Sequence, residues 1–269
     1  MTIDKWLRFS RNILKEAGVK TFDLDSVLLL EHALKIDRTT LFAHPEKKIS
    51  THQETILEKL LADRAKHTPI AYITGYKEFY ARKFKVNQNV LIPRPETELV
   101  IEVLSGLPLN NADKLLDIGT GSGNIGISAK LEFPFLRTYL LDNDSKAIAV
   151  AKSNAKILKA KVEFICDDFE PWVEKLKPKI IVANLPYLPK NWHINSEAKH
   201  EPPSALFAKD QGLELIKRLI TTWENTREQT SFLILECEAF QKKQIIDHAV
   251  DSSVFFDQGL CLALKPTNC

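Results

Sequence analysis

Asn184-Leu185-Pro186-Tyr187 closes an apolar run, Ile180-Ile181-Val182-Ala183, with residues that a strand needing only to stop does not require. Asn184 offers a carboxamide oxygen as acceptor. The Leu185 carbonyl offers a second. Its peptide nitrogen belongs to Pro186, so no local N–H competes for it, and the proline restricts Leu185 to extended backbone, which fixes the carbonyl's direction. Tyr187 adds a flat face for stacking. Two acceptors aimed at one spot beside an aromatic plane suit a planar NH₂ group. Such a nitrogen is a poor nucleophile because its lone pair is delocalised. Gripping both N–H bonds aligns it against an electrophilic methyl, so the chemistry rests on alignment rather than on a strong base. Asn184, Leu185, Pro186 and Tyr187 are therefore the candidate substrate-binding residues, with Asn184, Pro186 and Tyr187 in the catalytic role. No general base stands out, and the proton leaves to water. A strand ended by a proline turn with a packed tyrosine is the structural alternative.

A second chemical feature is LLDIGTGSGNIG, residues 115–126, which follows one apolar strand and opens a helix. Gly119, Gly121 and Gly123 lack a Cβ, so a ligand can lie against the backbone at the helix N-terminus. Gly121, Gly123 and Gly126 also satisfy G-x-G-x-x-G, a pattern that a tight turn alone can produce. Two strand-end acids add to it. Asp142, 19 residues after Gly123, stands where an acid accepts hydrogen bonds from ribose hydroxyls. Asp167 ends the next strand, where a carboxylate can accept from an adenine amino group. A nucleoside cofactor explains loop and acids together, either a nicotinamide nucleotide or S-adenosylmethionine. Asp117, just before the glycines, would oppose a pyrophosphate but suits a cationic sulfonium and ammonium, so the balance favours S-adenosylmethionine.

These groups need a scaffold. Strand patterns at KLLDIG (114–119), TYLLD (138–142), VEFIC (162–166), KIIVAN (179–184) and SFLILE (231–236) alternate with helical segments such as 145–158, which implies a mainly parallel sheet covered on both faces. SVFFD and LCLALK at the end pair as an antiparallel hairpin. Residues 1–72 read as a small helical domain: Trp6, Phe9, Ile13 and Leu14 recur at helical spacing, and Ser50 with Gln53 or Thr51 with Glu54 forms a capping box. Residues 73–97 read as a linker, with a hairpin at 78–86 and the rigid LIPRPETE after it, leaving 98–269 as the catalytic domain.

The totals narrow the class. The chain has 269 residues, 44% of them hydrophobic, enough for a sizeable core. A net charge of +2 gives no global sign of a nucleic-acid footprint. No apolar run approaches a membrane span, and MTIDKWLRFSRN has charges where a signal peptide is apolar. Cys166, Cys237, Cys261 and Cys269 are far apart and the histidines show no metal-ligand spacing, so the expectation is a cytoplasmic protein with reduced thiols and no metal.

The residues resemble a known family, the HemK-type peptide chain release factor glutamine methyltransferases. PIAYITGYKEFYARKFKVNQNVLIPRPETELV at 69–100 is similar to that family's hallmark linker, and DIGTGSGNIGI, Asp142, DDFEP at 167–171 and EPPSALFAKDQGLELIKRLI at 201–220 follow in the family's order. The resemblance implies a class I S-adenosylmethionine-dependent methyltransferase domain, Rossmann-like, preceded by a helical domain that helps recognise the release factor. It implies methyl transfer to the side-chain amide nitrogen of the glutamine in a Gly-Gly-Gln motif, with S-adenosylhomocysteine as product. Gly119, Thr120, Gly121, Ser122, Gly123, Asp142, Asp167, Asp168 and Asn184 would border the cofactor. The chain departs from the family where Leu185 replaces the first proline of Asn-Pro-Pro-Tyr, where Glu236-Cys237-Glu238 lacks the glycine of Glu-x-Gly, and where Asp257-Gln258-Gly259 lacks a basic neighbour. An adenine-N6 methyltransferase acting on DNA or RNA would grip the same planar NH₂, and a non-catalytic cofactor-binding partner of the translation machinery is a further alternative. Neither a target-recognition domain nor a basic stripe supports the first, and an intact Asn-Leu-Pro-Tyr opposes the second.

Overall fold

The computed structural model describes residues 1–227 and 231–267. The chain divides into two units, Met1–Tyr76 with Ile194–His200, and Lys77–His193 with Glu201–Cys269.

The smaller unit is helical: α1 (Ile3–Glu16), α2 (Phe22–Leu34), α3 (Arg38–Ala43), α4 (Thr51–Ala65) and α5 (Ile70–Thr74). Short polar residues open the first four. Thr2 caps α1 and Asp37 caps α3, each accepting from a first-turn amide. Ser50 and Gln53 form a reciprocal capping box on α4, so the Thr51–Glu54 alternative is not used and Thr51 is already helical. On α1 the buried stripe is Ile3, Trp6, Leu7, Ser10 and Leu14. Phe9 falls about 120° around the helix from that stripe at 100° per residue, and it is exposed. Arg64 is fully buried: Nε donates to Asp25 at 2.7 Å, Nη1 donates to the Thr68 carbonyl at 3.1 Å, and Nη2 pairs with Glu197. A buried guanidinium with all its edges engaged is tolerable; removing one partner would strand the charge.

The larger unit begins with a hairpin, β1 (Tyr76–Phe79) and β2 (Arg82–Lys85), whose two-residue turn places Tyr80 and Ala81 both at positive φ, 46° and 56°. That is the twist a tight hairpin demands. A 3₁₀ turn at Pro95–Glu98 leads into α6 (Leu99–Ser105). Then come β3 (Lys114–Ile118), α7 (Asn124–Glu132), β4 (Arg137–Asp142), α8 (Ser145–Leu158), β5 (Glu163–Cys166), α9 (Glu170–Leu176) and β6 (Ile180–Ala183). Two short strands, β7 (Leu188–Pro189) and β8 (Phe207–Ala208), pair in parallel. α10 (Glu214–Thr226), β9 (Phe232–Glu236), α11 (Ala239–His248), β10 (Ser252–Gln258) and β11 (Cys261–Pro266) finish the chain.

Seven strands form one sheet in the order β10-β11-β9-β6-β3-β4-β5. The β9-β6-β3-β4-β5 neighbours are parallel, while β11 runs antiparallel to β9 and β10 antiparallel to β11. This is the parallel sheet with an antiparallel arm expected from the sequence. Alternation along each strand feeds two apolar layers: Leu116, Ile118, Ile181 and Leu233 pack with α10 and α11, and Leu115, Leu140, Ile180 and Val182 pack with α6, α7 and α8. Near-continuous apolar strands are what a sheet buried on both faces needs. Cys166, Cys237 and Cys261 form no disulfide; Cys269 lies outside the described residues. Among the described residues no helix is long and apolar enough to cross a membrane.

Candidate active site

β3 has β4 on one side and β6 on the other, so successive connections leave it in opposite directions. Open sheets bind ligands at such a divide, outside the carboxyl ends of the strands. There the larger unit has a cavity of about 230 Å³, lined by Gly119–Ser122 after β3, Asp142 at the end of β4, Asp167 and Asp168 after β5, and Asn184–Pro186 after β6. Ten of the twelve residues singled out from the sequence thus share one cavity wall.

Gly123 and Tyr187 stand behind that wall. Gly123, at φ 80°, is where α7 meets the sheet; a β-carbon there would lie 2.7 Å from Ile127 Cδ1 and 3.1 Å from Leu140 Cδ2. Its lack of a side chain serves helix-on-sheet packing. Gly119 does face the cavity, at φ 68°, and a β-carbon on it would come within 3.1 Å of Leu185 Cδ2. The glycine loop and the amide loop therefore touch through one leucine.

The loop is shaped by acids. Asp142 Oδ2 accepts from the Gly121 amide at 2.9 Å and Oδ1 from the Asp144 amide at 3.0 Å. Burial raises the Asp142 carboxyl above its ordinary range, against those two hydrogen bonds. Asp117 lies beneath the loop, 1% exposed, with Oδ2 accepting from Thr120 Oγ1 at 2.5 Å and from the Gly126 amide at 2.9 Å. Asp167 accepts from the Asp168 amide at 2.9 Å and from Trp172 Nε1 at 3.0 Å. The lining acids Asp142, Asp144, Asp167 and Asp168 outweigh its arginines, because Arg94 is paired with Glu201 and Arg218 with Glu170.

The amide corner is braced from distant parts of the chain. Asn184 Nδ2 donates to Thr97 Oγ1 at 3.4 Å, Thr97 Oγ1 donates to Glu236 Oε2 at 2.7 Å, and the Tyr187 hydroxyl donates to Glu236 Oε1 at 3.1 Å. Glu236 is buried and its carboxyl is pushed up by desolvation, while the Tyr187 hydroxyl is raised by desolvation and by the neighbouring carboxylate. Gln241, fully buried on α11, donates from Nε2 to the Tyr187 carbonyl at 2.7 Å and to the Gln211 carbonyl at 2.9 Å. Gly212 fits beneath that carbonyl at φ +88°, where a β-carbon would sit 1.8 Å from Tyr187 O. Pro93, Arg94 and Thr97 of the PRPETE segment also line the cavity, and buried Glu201 holds the segment by accepting from the Ile92 amide at 2.9 Å and pairing with Arg94.

Thr97, Glu201 and Glu236 appear in the sequence only inside longer motifs, and Gln241 lies in none of them. No local pattern tells such a brace from a surface side chain, although carboxylates in otherwise apolar or proline-rich stretches were the visible signal. Glu238, where the family pattern puts glycine, has φ −72° and ψ 151° and caps α11, so the backbone does not require glycine there. The hairpin itself lacks a basic residue at Asp257-Gln258-Gly259, and Asp257 pairs instead with Lys242 of α11.

Comparison with known proteins agrees with this arrangement. Residues 5–75 match the family model described as PrmC N-terminal domain, and residues 96–201 match the Methyltransferase small domain. A release factor glutamine methyltransferase of Coxiella burnetii is 38% identical over 84% of this chain and 83% of that protein. The Bacillus anthracis enzyme of the same description is 34% identical over 91% and 89%. Among solved structures, the catalytic domain of hMettl16 in complex with an RNA hairpin has a TM-score of 0.52 at 15% identity, covering 78% of this chain and 82% of that one; at that identity the likeness concerns the fold alone. A sheet of class I methyltransferase order, a glycine loop and an Asn-Leu-Pro-Tyr corner on one cavity, and close relatives spanning nearly the whole chain have one reading: the chain belongs to the release factor glutamine methyltransferase family.

Proposed function

We propose that this protein transfers a methyl group from S-adenosylmethionine to the side-chain amide nitrogen of the glutamine in the Gly-Gly-Gln motif of peptide chain release factors. The observation that carries the reading is the common cavity wall of Gly119–Ser122, Asp142 and Asn184–Pro186.

The cavity suits the cofactor. The glycine loop leaves a cradle without side chains, Asp142 and Asp167 offer carboxylates for ribose and adenine, and the acidic lining favours a cationic ligand over a pyrophosphate. Gly119, Thr120, Gly121, Ser122, Asp142, Asp167 and Asp168 would hold it, with Gly123 setting the loop's entry into α7. Bound there, S-adenosylmethionine supplies an electrophilic methyl on a sulfonium. Asn184 Oδ1 and the Leu185 carbonyl accept the two N–H bonds of the target amide, Pro186 keeps the second acceptor aimed, and Tyr187, behind the cavity wall, braces the corner through Glu236 instead of stacking on the amide. The proton leaves to water. The helical unit contributes release-factor recognition, nucleic acid is not a substrate, and the protein acts in the cytoplasm.

The test offers radiolabelled S-adenosylmethionine with a release factor, the same factor with its Gly-Gly-Gln glutamine replaced, and duplex DNA and RNA. Label on the first alone, with one methyl located on that glutamine by mass spectrometry, supports the reading. Label on nucleic acid and none on the factor overturns it.

A further inference from the structure

Asn184 can present either edge of its carboxamide, and only the oxygen edge receives an NH₂ group. The groups behind it decide which edge faces the cavity. Glu236, at the end of β9, is buried; desolvation raises its carboxyl, but the hydrogen bonds that both of its oxygens receive oppose that rise and favour the ionised form, which accepts hydrogen bonds and donates none. It takes the Tyr187 hydroxyl proton on Oε1 and the Thr97 hydroxyl proton on Oε2. Thr97 has one proton to give. With that proton committed to Glu236, its oxygen can only accept from Asn184, and Asn184 meets it with Nδ2. The direction of donation passes along the chain from the acceptor-only carboxylate to the carboxamide and turns Oδ1 the other way.

We propose that Glu236 is a positioning residue: acting through Thr97, it fixes the Asn184 carboxamide with its oxygen toward the incoming amide, while the Tyr187 hydroxyl holds the same carboxylate in place. The inference rests on the reading of Asn184 as an acceptor for the target glutamine. It also gives the buried acid at the end of β9 a reason to be there. Glu236 touches neither reacting atom, but it sets the polarity of the residue that does.

Two variants break the chain differently. Glu236→Gln keeps the shape but adds N–H groups that can donate to Thr97, so the direction is no longer imposed. Thr97→Val keeps the volume and removes the relay. Both should lower kcat/KM for the release factor by roughly ten-fold or more, the scale of one misdirected hydrogen bond. Thr97→Ser should restore most of the loss, and the calorimetric affinity of Glu236→Gln, whose side chain lies outside the cavity lining, for S-adenosylhomocysteine should stay within about three-fold of wild type. A direct readout is independent of turnover. In protein labelled with ¹⁵N-asparagine, the Asn184 side-chain amide protons, assigned by their loss in Asn184→Ala, should exchange slowly in wild type and Thr97→Ser and quickly in Thr97→Val. Fast exchange in wild type, or undiminished kcat/KM in both Glu236→Gln and Thr97→Val, overturns the assignment. Protected amide protons in an enzyme that methylates no release factor would instead uphold the orientation and refute the proposed substrate.

Discussion

Replacing Asp117 by asparagine removes one ionisation while keeping the size of the side chain and the acceptor that the glycine loop uses. Asp117 Oδ2 receives the Thr120 hydroxyl and the Gly126 amide, whereas Oδ1 is buried with no hydrogen-bond partner among the described residues. Burial lifts this carboxyl from an ordinary 3.8 to about 6; the two hydrogen bonds oppose the rise and the charge on Asp142 adds to it. Because the folded-state value is the higher one, the unfolded chain ionises first, and ionisation favours unfolding. The group's contribution to stability is therefore fully present below 3.8 and is lost as pH rises through about 6. The whole interval corresponds to about 3 kcal/mol by pH 8, of which about 2 kcal/mol falls between pH 4.5 and 8. Asparagine has no such dependence. Its buried NH₂ costs about 1–3 kcal/mol at every pH, so absolute stability is a poor reporter. The difference between the two pH curves is a good one, since other carboxylates largely cancel in it. Urea unfolding of the intact chain, followed at steps from pH 4.5 to 8, should show Asp117→Asn gaining about 2 kcal/mol on wild type across the range. Curves parallel to within about 0.5 kcal/mol, the scatter of such extrapolations, would refute the buried ionisation.

Asn184→Ala should abolish most turnover while leaving cofactor affinity near wild type, because it removes an acceptor for substrate; an unchanged kcat would take Asn184 out of its role. Asp142→Ala deprives the Gly121 and Asp144 amides of their acceptor as well as the ribose, and should weaken S-adenosylhomocysteine binding by about 1–3 kcal/mol in calorimetry. Gly212→Ala forces a β-carbon into the Tyr187 carbonyl at a positive φ; it should cost roughly 2 kcal/mol or more in thermal unfolding and depress methyl transfer further than cofactor binding.

The scaffold was largely legible because it rests on local periodicity. The strands of the parallel sheet lie within a residue or two of their apolar runs, and α8 occupies 145–158 as its pattern indicates. The glycine loop and the strand-end acids could be found for a related reason: each sits at a fixed offset from a strand end, and the sheet delivers strand ends to one edge. What was not legible is the support. Thr97, Glu201 and Glu236 reach their partners across 49 to 139 residues, and nothing in their local sequence names those partners. Asp142 shows the same limit in another form, since its place could be read but not its grip on the Gly121 amide. Phe9 went the other way: helical spacing put it near the apolar face, but only the packed neighbours fix where that face ends.

The change from proline to Leu185 bears on how the amide corner keeps its aim. A proline would stiffen the backbone from within. Leu185 is instead held from outside: its side chain is 6% exposed and packs into the apolar layer, with Cδ2 against the space that Gly119 leaves open. One residue further on, Pro186 still limits the backbone on which the acceptor carbonyl rides. Beyond that, the Tyr187 carbonyl is gripped by Gln241 and the Tyr187 hydroxyl by Glu236. A four-residue loop restrained by side-chain packing at its second position and by hydrogen bonds at its first and fourth does not depend on a second proline ring for its shape. The leucine also does what a proline ring could not: it reaches the glycine loop, so displacement of either loop is felt by the other. Bringing a weak nucleophile to a methyl group depends on that shared frame, because alignment is the main contribution these residues can make to the rate.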